Sequence, residues 1–153
     1  MKMRIPELEF ISRADILLGE PIVVGEGPLG LRRVVPITGG IFEGPKLSGV
    51  IRNGGADWQV VAPSGLIIVD TRYTLECDAG PIYVATTGVR KVDPEVLERM
   101  AAGARVDPDE YYFRLHVKLE AGNEGLLWVN DFVFIASAAR LESSVTYDLF
   151  SVL

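Results

Sequence analysis

The sequence predicts an all-β protein: a closed antiparallel, lipocalin-like β-barrel of about nine or ten strands with one short helix. Three observations support this class. Apolar and polar residues alternate with period two over most of the chain, as in half-buried strands. Turn residues interrupt this alternation roughly every eight to twelve positions. The connections are mostly too short for the crossovers that parallel strands require, and closing the sheet removes its exposed edges.

The first half of the chain supplies most of the predicted strands. The Asn53-Gly54-Gly55 segment predicts a hairpin between two of them, because this composition is typical of tight turns between antiparallel strands. The long strand predicted at Leu66 to Cys77 carries apolar residues on one face and Asp70, Arg72, Thr74 and Glu76 on the other. The predicted strands of this half lie at Leu8 to Ile16, Leu31 to Ile37, Leu47 to Arg52, Asp57 to Val61, Leu66 to Cys77 and Ile82 to Arg90.

One segment breaks the strand pattern. Asp93 is a typical N-cap residue, Pro94 suits the first helical position, and Gly103 suits the end of a helix. A narrow apolar stripe at Val96, Leu97 and Met100 predicts a short helix that packs over one end of the sheet.

Strands resume after this helix. They are predicted at Tyr111 to Glu120, Leu126 to Ile135 and Ser144 to Val152. His116 lies among charged residues on the polar face of the first of these strands, so a surface position is favoured over a catalytic one. Neither a repeat nor a linker interrupts the pattern, which predicts a single domain over residues 1–153.

Composition excludes several classes of function. The net charge is −6 and no basic run is present, which disfavours nucleic-acid binding. No apolar window is long enough for a membrane-spanning helix, and the N-terminus lacks the apolar core of a secretory signal. Cys77 is the only cysteine, so we expect a cytoplasmic protein without a disulfide. One cysteine and one histidine, far apart, also disfavour a zinc site.

One glycine motif matches the pattern of a nucleotide site but lacks the structural context that such a site requires. Gly25 to Gly30 matches G-x-G-x-x-G, but a dinucleotide site needs a helix to begin at the third glycine. The residues that follow, Leu31 to Pro36, are strand-like and end in proline. We therefore interpret the motif as a connection between strands, and no cofactor is expected.

The candidate site centres on a glycine-rich stretch from Gly39 to Trp58. Two acids on its predicted corners, Glu43 and Asp57, are candidate general acid–base groups, because two carboxylates in one cavity can acquire different pKa values. The alternative is that both acids only satisfy backbone groups of the turns. Arg72 is a candidate oxyanion-stabilising residue if its face lines the lumen, and an ordinary surface charge if it does not.

Aromatic and amide side chains complete the predicted pocket. Aromatic residues on strands usually belong to the core, and some can stack on a planar ligand. A buried Asn130 would have to hydrogen-bond either the backbone or a ligand. The candidate ligand-binding residues are Trp58, Phe42, Tyr73, Asn130 and Trp128.

Several motifs, in order along the chain, resemble the domain of unknown function 3237 family. They are Gly39-Gly40-x-Phe42-Glu43-Gly44-Pro45, Gly54-Gly55-Ala56-Asp57-Trp58, Arg72-Tyr73-x-Leu75, Gly80-x-Ile82-Tyr83-Val84, Gly88-x-Arg90, Tyr112-Phe113-Arg114 and Trp128-x-Asn130. The resemblance covers about Phe10 to Val152. It implies an antiparallel β-barrel that is often a homodimer, and it favours an internal Arg72. It implies no established activity.

Three hypotheses for function remain open. The first is a cofactor-independent enzyme that performs proton transfer, as an isomerase, cyclase or lyase, on an apolar or aromatic oxygen-bearing metabolite. The second is a lipocalin-like carrier or sensor that binds such a ligand without turnover. The third is a dimer whose barrel is packed solid and whose function lies on its surface.

Overall fold

A computed structural model describes residues 1–153 as ten strands, one α-helix and two 3₁₀ segments. Helix α1 spans Pro94–Ala101, and the 3₁₀ segments span Pro108–Glu110 and Glu124–Asn130. The strands are β1 (Leu8–Leu18), β2 (Ile22–Gly27), β3 (Gly30–Glu43), β4 (Gly49–Ile51), β5 (Gly55–Val61), β6 (Ile67–Cys77), β7 (Gly80–Lys91), β8 (Tyr112–Glu120), β9 (Val133–Arg140) and β10 (Ser144–Val152).

The strands close into an antiparallel barrel, which confirms the predicted fold class. The hydrogen-bonded order runs from β1 through β10, β9, β8, β7 and β6 to β4 and β3, and β3 pairs back to β1. Strands β1 and β2 follow one another along one side of β3, and β4 and β5 follow one another along its other side. The ten strands therefore occupy eight positions around the barrel.

The hairpin predicted at Asn53-Gly54-Gly55 is wrong. Strands β4 and β5 do not pair with each other, because both lie between β3 and β6 in the same direction. The backbone N–H of Arg52 donates to Thr74 O at 2.9 Å, and that of Gly54 donates to Ile37 O at 3.3 Å. These bonds continue the pairing of this segment with β6 and with β3. The glycines therefore separate two consecutive strands that run in the same direction, and they do not reverse the chain.

The Gly39-Gly40 pair also lies inside a strand, not on the predicted corner. Strand β3 continues through it to Glu43 and pairs with β1 over this part. Gly40 has a φ of 136°, and a Cβ atom there would lie 2.2 Å from the carbonyl oxygen of Asp15. Only glycine allows the two backbones to approach so closely at this φ value.

The prediction of a strand from Leu126 to Ile135 is wrong in its first half. Residues Glu124–Asn130 form a 3₁₀ segment, and β9 begins only at Val133. Asn130 Oδ1 accepts a 3.0 Å hydrogen bond from Ala121 N, and Asn130 Nδ2 donates one of 2.9 Å to Ala121 O. This pair of bonds ties the segment to the end of β8.

The predicted faces of the long strands are confirmed, and they place the core inside the barrel. On β6 the apolar face, including Val69 and Leu75, is buried, whereas Arg72 and Glu76 are exposed. On β8 the same alternation leaves His116 exposed on the outer face. Twenty-six buried residues from the strands and their connections form one apolar cluster.

Helix α1 lies between the end of β7 and the start of β8, as predicted. Asp93 precedes it, but its side chain makes no capping hydrogen bond. None of the helix residues is fully buried, so the helix covers the barrel without joining its core. The helices of the structure lack the length and apolar character that would be needed to cross a membrane.

Candidate functional site

The barrel contains a cavity of about 340 Å³ at the end that α1 covers. Leu97 and Met100 of α1 line it together with apolar side chains from the strands. The hypothesis of a solidly packed barrel is therefore wrong. The polar side chains that reach the cavity are Arg33, Asp57, Gln59, Thr71, Thr86, Arg90, Arg140 and Tyr147.

Asp57 is the only carboxylic acid in the cavity lining. Strand β5 places it opposite Val35 of β3 and Thr71 of β6. Its Oδ1 accepts a 3.1 Å hydrogen bond from the backbone N–H of Asp70. Burial raises the pKa of Asp57 above its usual value, although hydrogen bonds that favour the carboxylate oppose the shift. The protonated form of this side chain is thus accessible closer to neutral pH than that of an exposed aspartate.

Gln59 holds Asp57 in place and connects it to an arginine. Its Nε2 donates a 2.7 Å hydrogen bond to Asp57 Oδ2, and its Oε1 accepts one from Arg33 Nη2. Gln59 is almost fully buried, so these bonds lie away from bulk water. The Arg33, Gln59 and Asp57 side chains therefore form one connected polar chain along the wall of the cavity.

Three arginines face the same cavity: Arg33 on β3, Arg90 on β7 and Arg140 on β9. Burial, together with the positive charges of Arg140 and Arg33, lowers the pKa of Arg90 to about 10. Burial and the charge of Arg33 likewise lower the pKa of Arg140. Guanidinium groups carry a positive charge in proteins, so the cavity holds a cluster of positive charge beside one carboxyl group.

A pair of buried tyrosines lies beside the cavity. Tyr147 lines it, and its hydroxyl oxygen is 2.5 Å from that of Tyr73. Burial raises the pKa of both phenols, so both are protonated near neutral pH. One of the two hydroxyls donates to the oxygen of the other, and Phe42 packs edge-on against the Tyr147 ring with centroids 5.8 Å apart.

The structure separates the three predicted catalytic residues. Asp57 reaches the cavity, but Glu43 is exposed at the end of β3 and does not line it. The expectation that Arg72 is internal is wrong, because β6 directs it outwards. Its side chain is 50% exposed and forms a 3.2 Å ion pair with Asp70. The strand register that buries Tyr73 and Thr71 turns the intervening Arg72 to the outside.

The predicted ligand-binding residues are also dispersed. Phe42 and Tyr73 are core residues beside the cavity, and Trp128 packs against the core with its ring 6.2 Å from that of Phe134. Asn130 bonds the backbone, which was the alternative to ligand binding. Trp58 is 38% exposed on the outer face.

Trp58 and Arg72 meet on that outer face instead of in the lumen. The guanidinium carbon of Arg72 lies 5.8 Å from the Trp58 ring centroid. Both residues line a second, open depression of about 320 Å³, together with Arg52 and Tyr83. No group of three or more His, Cys, Asp and Glu side chains converges in the structure as a metal site would require.

The arginines and Gln59 were missed by the sequence analysis, although one signal was present for Arg90. Period-two alternation along β7 places Arg90 on the same face as the buried Ile82, Val84 and Thr86. An arginine on a buried face at a strand end indicates a paired or ligand-facing charge. The signal at Arg140 was weaker, because the alanines that precede it, Ala136, Ala138 and Ala139, do not define an apolar face of β9.

Comparisons with known proteins agree with this fold. The family described as "Protein of unknown function (DUF3237)" matches residues 6–152. A UPF0311 protein of Rhodopseudomonas palustris is 34% identical over 148 residues, which are 96% of this chain and 97% of that protein. The crystal structure of a β-barrel-like protein from Acinetobacter baumannii has a TM-score of 0.87 at 40% identity, over 99% of both chains.

A more distant likeness concerns the fold alone. The crystal structure of a protein described as an enzyme from Penicillium herquei has a TM-score of 0.76 at 18% identity, over 100% of this chain and 98% of that chain. The match of the family model over nearly the whole chain, supported by relatives above 30% identity, decides the assignment. The chain belongs to the DUF3237 family of proteins of unknown function.

Proposed function

We propose that the barrel binds a small apolar or aromatic, oxygen-bearing metabolite and performs proton transfer on it without a cofactor. The reaction would be an isomerisation, a cyclisation or an elimination, with Asp57 as the general acid or base. The observation that carries the proposal is the position of Asp57: the only carboxyl group of a partly closed, largely apolar cavity, with a pKa raised by burial.

A raised pKa suits this role for a physical reason. A general acid–base group is most effective when its pKa lies near the working pH, because both protonation states are then available. Such a group contributes about 10²–10⁴-fold to a rate. The hydrogen bonds from Gln59 and from the Asp70 backbone fix the orientation of the Asp57 carboxyl group, which limits the reorganisation needed during transfer.

In this proposal the arginines of the cavity stabilise the oxyanion, and Arg72 does not. When a proton leaves carbon next to a carbonyl, negative charge develops on the oxygen. Arg33 and Arg90 line the same cavity as Asp57, whereas Arg72 faces the opposite side of the sheet. A fixed guanidinium in a poorly hydrated site stabilises such charge more than it would in water.

A carrier or sensor without turnover is the second candidate. One observation favours it: both Asp57 oxygens already accept hydrogen bonds, from Gln59 Nε2 and from Asp70 N. A carboxylate held through both of its oxygens in this way would shape the pocket instead of moving protons. The two candidates differ in whether a bound ligand exchanges its protons.

The test is hydrogen–deuterium exchange at carbon. 2-Tetralone, incubated with the protein in D₂O, reports deuterium uptake next to the carbonyl by mass spectrometry. We expect the wild type to accelerate uptake and Asp57→Asn to lose most of that acceleration, about 10²-fold or more. Glu120→Gln, on the outer face of β8, is the matched control and should behave as the wild type.

Two outcomes would contradict the enzyme. Equal acceleration by wild type and Asp57→Asn would remove Asp57 from the chemistry. Saturable binding of a ketone, seen by thermal shift, without any accelerated exchange would favour the carrier. Failure of 2-tetralone to bind would count against a small-molecule pocket of this polarity.

A cytoplasmic homodimer is part of the same proposal. Strand β2 supports the dimer, since it pairs only with β3 and leaves Ile22, Val23 and Val24 exposed. An apolar strand with a free edge is a site at which a second chain can pair. Light scattering after size exclusion should give twice the 16.7 kDa chain mass, and a mass equal to one chain would exclude the dimer.

A further inference from the structure

We infer that the ligand of the cavity is a carboxylate with an apolar body, and that Arg33, Arg90 and Arg140 recognise its anionic group. This inference rests on the proposed function, because it names the substrate class for the same cavity. The inference concerns recognition of the ligand and makes no use of proton transfer by Asp57. Ligand recognition and proton transfer can therefore be tested separately.

The first support is the charge of the cavity lining. Three guanidinium groups reach the cavity, against one carboxyl group, that of Asp57. None of the three arginines forms an ion pair within 4.0 Å with a carboxylate of the chain. Buried or partly buried charges are normally paired. The protein itself thus provides no close partner for this positive charge.

The second support is the set of unused donors. The Nε atoms of Arg33 and Arg90 are buried and have no hydrogen-bond acceptor in the structure. A buried donor without an acceptor costs about 1–3 kcal/mol, so such donors usually meet a ligand or water. A guanidinium edge made of Nε and one Nη matches the two oxygens of a carboxylate in a bidentate pair.

The third support is that the arginines are held in position. Arg33 Nη2 donates to Gln59, and Arg140 Nη1 donates to the carbonyl oxygens of Leu141 at 2.7 Å and Ser144 at 2.9 Å. The guanidinium of Arg90 lies 5.8 Å from the Phe113 ring centroid. Side chains that are ordered before binding lose less entropy when a ligand arrives.

Repulsion within the cluster adds to the argument. The charges of Arg140 and Arg33 contribute to the lowered pKa of Arg90, after burial. An anion between the three side chains would remove part of this repulsion and would stabilise the charged form of each arginine. The cluster is therefore better satisfied with an anionic group bound than with a neutral one.

The apolar lining and the strand register define the rest of the ligand. Arg33 and Gln59 are opposite each other in the β3–β5 ladder, and Asp57 lies two residues further along β5. Two residues of a strand span about 7 Å. A carboxylate at Arg33 would thus leave neighbouring carbons within reach of Asp57. The surrounding walls include Val35, Val69 and Leu115, which suit a ring or a short alkyl chain better than a second charge.

Calorimetry with an isosteric pair tests the inference. The probes are 2-naphthoate and 2-naphthamide, which differ mainly in charge, titrated into the full chain at 150 mM NaCl. We expect naphthoate to bind at least tenfold more tightly than the amide. Arg33→Gln and Arg90→Gln should each weaken naphthoate binding at least tenfold and change amide binding less than twofold.

Arg114→Gln is the matched control, because Arg114 lies on the outer face of β8 and stacks on Tyr112. It should leave both affinities unchanged. Far-UV circular dichroism and a melting curve confirm that each variant folds. Should Arg90→Gln unfold, Arg90→Lys replaces it: the charge stays, the planar two-donor edge is lost, and naphthoate affinity should still fall.

Three outcomes would overturn the inference: equal affinity for acid and amide, an equal loss in Arg114→Gln, or no naphthoate binding at all. If carboxylate recognition fails while Asp57-dependent exchange of the neutral 2-tetralone persists, the proposed function stands without this substrate class. If carboxylates bind through the arginines and no exchange occurs, the cavity is a carrier site for organic anions.

Discussion

Gln59 donates a 2.7 Å hydrogen bond to Asp57 and accepts one from Arg33. This contact favours the ionised form of Asp57 and so opposes the effect of burial on its pKa. We predict that Gln59→Leu raises the pKa of Asp57 further. Carbon-detected NMR of the aspartate carboxyl groups across a pH series measures the shift. An unchanged or lowered pKa would show that the contact does not control the ionisation of Asp57.

The raised pKa of Asp57 also predicts how stability depends on pH. A carboxyl group that binds its proton more tightly when folded contributes stability in acid, and this contribution is lost as the pH rises through the folded pKa. Asp57→Asn cannot titrate there. The unfolding free energy of the wild type relative to Asp57→Asn should therefore fall from about pH 4 upwards, beyond the ordinary aspartate pKa. Urea denaturation at successive pH values measures this difference, and parallel profiles would contradict the prediction.

The Tyr73–Tyr147 hydroxyl pair predicts a strongly non-additive double-mutant cycle. Tyr73→Phe leaves the buried Tyr147 hydroxyl without its partner, and Tyr147→Phe does the reverse. Each single change should cost about 1–3 kcal/mol of unfolding free energy, whereas the double variant should cost much less than the sum. Chemical denaturation measures all four proteins. Additive losses would indicate that the two hydroxyls have other partners.

The fold could be predicted from the sequence, because the alternation of apolar and polar residues in a half-buried strand is a local signal. The faces of β6 and β8 follow from apolar residues at every second position, and these assignments are confirmed. The hairpin that the sequence predicts around Gly54 is wrong, because a glycine turn signal does not reveal whether the flanking strands pair with each other or with a shared neighbour. That choice depends on long-range pairing with β3 and β6.

The candidate site was harder to predict from the sequence, since it depends on which faces of distant strands meet. Asp57 reaches the cavity because the register of β5 directs it inwards, and not because it lies on a glycine corner. Arg72 could not be placed correctly from the family resemblance, which conflicted with the alternation of β6. The cluster of Arg33, Arg90 and Arg140 joins three strands that are remote in sequence. Only the closure of the barrel brings these charges together.

Gly40 should tolerate no side chain. Its φ of 136° is strained for other residues, and an added Cβ would lie 2.2 Å from Asp15 O in the neighbouring strand. We predict that Gly40→Ala destabilises the protein by more than about 1 kcal/mol, because the backbone must shift. Gly122→Ala is the control, since a Cβ there would meet no atom within 4 Å. Equal melting temperatures for the two variants would contradict this account.

Helix α1 should open more easily than the barrel that it covers. It contributes no buried residue, and Leu97, which lines the cavity, is 52% exposed. Few apolar contacts hold such an element, so its opening costs less free energy than global unfolding. We predict that amide hydrogens of α1 exchange faster than those of β6 and β7, and that a ligand in the cavity slows them. Hydrogen-exchange mass spectrometry with and without 2-naphthoate compares these segments.

Leu97→Ser separates this covering role from a role in stability. Loss of apolar contact with the ligand should weaken 2-naphthoate binding, while the melting temperature of the free protein should change little, because the side chain is already half exposed. Leu127→Ser is the control, since Leu127 is 44% exposed and belongs to the 3₁₀ segment between β8 and β9, away from the cavity lining. A large loss of stability in Leu97→Ser with unchanged affinity would make α1 part of the folded core instead of a movable cover.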